Sequence, residues 1–114
     1  MKKMETGIEI ITKEQQRQRT VKGWTPEHDS THTNEELARA AMCYAMPYDL
    51  RIKAVWGDGR MLRFYQPGNQ ESIELYPDGW KMKPTPNDRI KELAKAGALI
   101  ASEIDRLILK EQEK

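Results

Sequence analysis

A chain of 114 residues can build one hydrophobic core but not two, and with 32% charged residues that core must be small. Nineteen basic against eighteen acidic side chains leave a net charge of +1, which argues against a general nucleic-acid or membrane-surface binder, since those carry a net basic field. A local basic pocket stays open. Cys43 is the single cysteine, which excludes a disulfide framework and fits a reducing, cytoplasmic setting.

No apolar run follows the basic start Met1-Lys2-Lys3, so the sequence predicts neither a signal peptide nor a membrane-spanning segment. Ile8, Ile10 and Ile11 form an apolar patch that reads as a strand or docking arm. Thr12 with Gln15 makes a capping box, which predicts a polar first helix over residues 13–22 ended by Gly23. The Trp/His stretch from Trp24 to His32 then reads as a loop. Thr33 with Glu36 makes a second capping box, predicting a helix that runs to Met46 and stops before Pro47. Its latter half, A-A-M-C-Y-A-M, is apolar nearly all round, which buries Cys43, and Ala38, Ala41 and Ala45 form a small-residue stripe.

Residues 51–76 change period. Turn chemistry at Gly57-Asp58-Gly59 and Pro67-Gly68-Asn69 predicts a three-stranded antiparallel meander resting on the helices by one face, with Ile52, Ala54 and Trp56 on one side. Pro77 to Trp80 is a turn. Thr85, Pro86 and Asp88 then read as cap, N1 and N3 of a last helix over 86–110. In that helix Ile90, Leu93, Gly97, Ile100, Ile104 and Leu107 recur at spacings of 3 and 4, which predicts the core face. Ala94, Gly97, Ala98 and Ala101 suggest a close crossing on the alanine stripe of the second helix. Leu99 falls off that face and suggests contact with the meander or with a second copy of the chain. The expected fold class is α+β, one domain over 1–114, with the meander inserted between the second and third helices.

Chemistry concentrates in the Trp/His stretch. His28 and His32 stand one helical turn apart, beside Glu27 and Asp29, but no third histidine and no H-E-x-x-H motif completes a metal site. One reading has Asp29 and the histidines hydrogen-bonding the loop and capping the next helix. The other has Trp24 stacking on a ligand while His28, Asp29 and His32 read its polar edges. Glu36, Arg39, Arg17 and Lys95 complete the candidate ligand-binding set, the cations as phosphate partners. No catalytic or metal-ligating residue is assigned, and the other acids read as helix ion pairs such as Glu35–Arg39. Buried on its helix, Cys43 reads as core.

Three blocks carry a resemblance. I-T-K-E-Q-Q-R-Q-R-x-x-x-K-G-W-T-P-E-H-D-x-x-H-T-N-E-E-L-A-R-A-A, then D-G-W-x-x-K-P, then L-A-K-A-G-A-L-I-A-S-E-I-D-R-L resemble an uncharacterised family of small phage and prophage proteins. They cover roughly residues 10–46 and 77–108. The order of parts also resembles the MazG-type all-α nucleoside triphosphate pyrophosphohydrolases, with Glu14 to Arg19, Trp24 to His32, Glu35-Glu36 and Leu93 to Leu107 in the matching places. The acids with which that family holds Mg²⁺ are missing, and Arg39 stands in one of those places. A looser likeness links the G-W, Asp and His of the loop to ryanodine-receptor-type repeats. Together these imply a phage-encoded binder of a nucleotide or nucleotide-derived signal that does not turn it over, used for instance to sequester a host defence signal in the host cytoplasm. The alternatives are a divergent Mg²⁺-dependent pyrophosphohydrolase using Glu36, or an interaction module acting on a host enzyme. No cofactor is expected outside the enzyme alternative, and a homo-oligomer through the last helix is a further expectation.

Overall fold

The computed structural model describes residues 4–31, 35–47, 83, 85 and 87–113, together with the backbone of 55–57, 61–65 and 72–74. Helix α1 spans Gly7–Thr20 and starts earlier than Thr12 suggests. Thr6-Gly7-Ile8-Glu9 supplies the capping box: Glu9 N donates to Thr6 Oγ1 at 3.2 Å, and Thr6 N donates to Glu9 Oε1 at 3.1 Å. Thr12 lies inside the helix, its hydroxyl donating back to Ile8 O at 2.8 Å. The isoleucine patch is therefore helical, neither strand nor arm. Gly23 follows the helix end at φ +74, a conformation glycine adopts without strain.

The Trp/His stretch is not all loop. Pro26–Asp29 forms a one-turn helix, α2, with Thr25 as N-cap and proline in the first turn. Helix α3 spans Glu36–Ala45, and Glu35 precedes it at φ 57 without a side-chain cap. Glu36 is thus its first residue, and Thr33, the predicted cap, lies outside the described residues. Helix α4 spans Arg89–Gln112 with Asp88 as N-cap, its side chain accepting from Lys91 N. Thr85 does not cap α4; its N–H donates to Glu92 Oε2 at 3.0 Å. Pro86 lies outside the described residues.

The core reverses the expectation for α4. Its buried apolar residues are Ala94, Ala96, Ala98 and Leu99, while Ile90, Leu93, Ile100, Ile104 and Leu107 are between 44% and 66% exposed. Around Ala96 and Leu99, α3 contributes Leu37, Ala40, Ala41, Cys43 and Tyr44. Alanines permit a close helix approach that the larger isoleucines do not, so the small face was selected for the contact. Leu99 sits in this core, not against a meander or a second copy. Gly97 faces α1 instead of α3: a Cβ built there would lie 2.6 Å from Ile11 Cδ1.

Two arginines of α4 make further bonds. Arg89 donates to Tyr44 O at 2.9 Å and to Ala45 O at 2.5 Å, satisfying terminal carbonyls of α3. Glu103 and Arg106 form a bidentate pair on α4 at 2.6 and 3.1 Å, both nearly buried.

Of the residues whose side chains are described, 74% are helical, and the fold class is all-α, which corrects α+β. Every buried apolar residue among the described ones lies on α3 or α4. Three short strands, Val55–Gly57, Met61–Tyr65 and Ser72–Glu74, pair antiparallel in chain order, and the helices, which hold the core of the described residues, define the class. The predicted hairpin turns beyond Gly57, the Pro77–Trp80 turn, and Ile52 and Ala54 lie outside the described residues. Among the described residues, no helix is long and apolar enough to cross a membrane.

Candidate ligand pocket

Helices α1, α3 and α4 diverge around one pocket of about 370 Å³, within the usual range for small-molecule sites of about 300–1,000 Å³. Its walls come from every element of the helical body. Leu37, Ala40 and Leu99 supply an apolar floor, and Trp24 and Tyr44 supply aromatic rings.

Trp24 is half-buried, placed by its N–H donating to Gln18 O at 3.0 Å. Its amide is thus tied to the end of α1, which turns the chain into the pocket wall at Gly23. Asp29, only 1% exposed, closes α2 with its N–H on Thr25 O at 2.8 Å, and its Oδ1 lies 3.5 Å from His28 Nδ1. Tyr44 fixes the opposite rim: its hydroxyl accepts from Lys83 N at 2.9 Å. Lys95 Nζ donates to Lys83 O at 3.0 Å and sits 5.4 Å from the Tyr44 ring centroid. Lys83 is therefore held on both sides of its peptide, with its side chain exposed at the mouth.

Arg17, Lys22, Lys83 and Lys95 all line this pocket, against Glu14 and Asp29 as its acids. Glu14 is occupied: Arg17 donates to both its oxygens at 2.8 and 2.7 Å, and Gln18 Nε2 donates at 3.1 Å. Burial alone would raise the Glu14 carboxyl, but these bonds outweigh it and leave it below its ordinary value. The Lys83 charge, followed by direct contact with Lys83, pushes Lys22 below the ordinary lysine value. Burial first, then the Lys91 charge, does the same for Lys95, in spite of Glu14. Lys22 and Lys83 thus approach each other at the pocket wall with their charges in mutual repulsion.

Of the sequence-predicted ligand set, Arg17, Trp24, His28, Asp29 and Lys95 meet in this pocket. Glu36 and Arg39 do not line it; Glu36 sits at the first turn of α3, where its charge and that of Glu35 act on Arg106. His32 lies outside the described residues. Gln18, Lys22, Tyr44 and Lys83 were missed. Lys22 carried a faint signal, standing directly before Gly23-Trp24, and Thr25-Pro26 carried a clear one for α2, a cap followed by proline at N1. Nothing local announces Lys83 or Tyr44, which reach the site through tertiary contacts.

Among the described residues, no group of three His, Cys, Asp or Glu side chains is gathered as a metal site would require. The chain matches no family model, no curated protein and no solved structure.

Proposed function

We propose that this protein binds a small nucleotide-type anion in the pocket between α1, α3 and α4 and holds it without chemical conversion. The observation that carries the reading is the pairing of an aromatic, apolar interior with four cations at its walls. A flat heterocycle stacks on Trp24 or Tyr44, and its phosphate meets Lys22 and Lys83, with Arg17 and Lys95 behind them. Retention without turnover follows from how the nearest acid is used. Both Glu14 oxygens are engaged by Arg17 and Gln18, so that carboxylate does not fit a Mg²⁺ ligand. A small protein that binds and keeps a nucleotide-derived signal withdraws it from solution, the sequestering role that the phage resemblance implies.

Isothermal titration with nucleoside 5′-monophosphates, followed by analysis of the mixture for released phosphate or pyrophosphate, tests this. Binding with the nucleotide recovered intact is expected, and Lys22→Gln/Lys83→Gln should weaken it by about tenfold or more, the loss of charge-assisted hydrogen bonds. The pH dependence has a definite sign. Anion binding uses protonated lysines, and Lys22 and Lys95 sit below the ordinary lysine value. Affinity is therefore full below their lowered pKa values and declines as pH rises through them, earlier than for an ordinary lysine. Phosphate or pyrophosphate release would establish the enzyme instead, and absence of binding to every nucleotide would overturn the reading.

A further inference from the structure

Six of the ten large apolar side chains that stand exposed among the described residues belong to α4: Ile90, Leu93, Ile100, Ile104, Leu107 and Ile108, each 44–66% exposed. Scattered apolar residues on a surface need no explanation, but a continuous apolar patch marks an interaction surface. Ile90, Leu93, Gly97, Ile100, Ile104 and Leu107 follow one another at spacings of 3, 4, 3, 4 and 3, the alternation of a seam that repeats every 3.5 residues or so and keeps facing one partner helix. At Gly97, which has no side chain to offer, Ile11 of α1 fills the gap, its Cδ1 2.6 Å from where a Cβ would stand. The seam therefore stays apolar throughout. Helices α1 and α3 hold other sides of α4 and are shorter, 14 and 10 residues against 24.

We propose that this seam docks a second copy of the chain, turned end for end about a two-fold axis that passes between Gly97 and Ile100. The spacings read the same in both directions, so reversal sets Ile90 against Leu107 and Leu93 against Ile104. At the axis Ile100 meets Gly97 with its covering Ile11, and apolar faces apolar at every level. No charged residue falls on the seam from Ile90 to Leu107, so the stripe asks for an uncharged stripe in return, and its own copy supplies one. The area points the same way. The largest apolar patch of a monomer measures about 300–600 Å², and doubling a patch at the top of that range gives on the order of 1,200 Å², the lower bound of a specific interface. A pair of that size forms at high concentration and separates on dilution, so that unfolding of the dilute chain is that of the monomer. Lys95 and Leu99, which line the pocket, face away from the seam, and pairing leaves the pocket open.

Sedimentation of the full chain over a concentration series tests this. The mass should rise from 13.3 kDa toward twice that value as concentration increases. Ile104→Glu puts a charge on the seam at a site 52% exposed in the single chain, and should hold the mass at that of one chain with helical circular dichroism unchanged. Lys91→Glu, a charge change on the same helix but off the seam, should pair as the parent does. Should Ile104→Glu not fold, Leu93→Gln, a milder change on the seam, gives the same reading. Under oxidation Ile100→Cys, about 5 Å along the helix from its copy, should cross-link the pair, whereas Ile90→Cys, about 25 Å from its copy, should not. Cys43 is buried and takes no part. A parent that keeps the mass of one chain at every concentration would overturn the proposal and give the seam to another segment of this chain or to a different partner. A pair that survives Ile104→Glu would overturn it too, and cross-linking through Ile90→Cys would overturn the end-for-end arrangement.

Discussion

Helix α4 is gripped from two sides in opposite ways. Against α3 it offers small apolar residues, Ala96 and Leu99, to Leu37, Ala40 and Tyr44. Against α1 it offers, beside the Gly97–Ile11 contact, polar ones: Gln15 Nε2 donates to Ser102 Oγ at 3.2 Å and to Asp105 Oδ2 at 3.1 Å, and Arg19 donates to Asp105 Oδ2 at 2.5 Å. The apolar contact lets two helices close on each other. The polar contact uses long side chains as spacers, and on the α3-facing side of α1 the same composition, Glu14, Arg17 and Gln18, opens into the pocket. The strongly polar sequence of α1 is thus a consequence of lining a cavity, while α3, apolar nearly all round, pays for the stability of the domain.

The largest effect that sharpens this contrast is expected at Leu99. Leu99→Ala removes the largest side chain that α4 buries in the apolar contact, and such truncations cost about 2–5 kcal/mol. Chemical denaturation should show a lower midpoint with little change in slope. Because Leu99 also forms part of the pocket floor, nucleotide affinity should fall with it. A variant as stable as the parent would show that α3 and α4 are not packed as described.

The next effect belongs to the other side. Gly97→Leu places a branched side chain where Ile11 already stands, with Cγ1 2.8 Å from the site of a new Cβ. Overpacking of this kind costs about 1–3 kcal/mol, here less than at a rigid backbone contact because the Ile11 side chain can yield. Ile11→Ala in the Gly97→Leu background should recover part of the loss, and Leu37→Ala should not. A double-mutant cycle separates the two outcomes. Recovery through a residue of α3 would return Gly97 to the helix crossing that the sequence suggests.

The two sides were not equally legible. Trp24, His28, Asp29, Arg17 and Lys95 stood out because aromatic and charged side chains beside a glycine and a proline mark a structured site, and all five line the pocket. The apolar contact was misjudged for a physical reason: the largest apolar residues of α4 dominate its periodicity, yet helices approach closely only where side chains are small. Ala94, Ala96 and Ala98 are buried while Ile90 and Ile104 are exposed. The α+β class fails for a different reason: period-two alternation marks strands but does not set the class, which the helical share of the described residues does. Glu92, fully buried, accepts from Thr85 N and Arg89 and had no local signal at all.

The smallest effect is the sharpest check on which face of α4 is inside. Leu99 and Ile100 are chain neighbours about 100° apart around the helix, yet one is 3% exposed and the other 48%. If the buried face is the alanine face, Ile100→Ala should change the unfolding free energy by no more than about 0.5 kcal/mol, as for surface sites in general. Alanine is also the better helix former, by a few tenths of a kcal/mol, which offsets part of any loss of packing. The contrast between the two neighbouring truncations, measured in one denaturant series, is therefore worth several-fold more than either number alone. Light scattering on the same samples adds a second reading. A fall in mass with Ile100→Ala would mean that the outward stripe of Ile90, Leu93, Ile100, Ile104 and Leu107 meets a second copy of the chain. An unchanged mass with a large loss of stability would instead put the isoleucine stripe inside and overturn the packing of α4 described above.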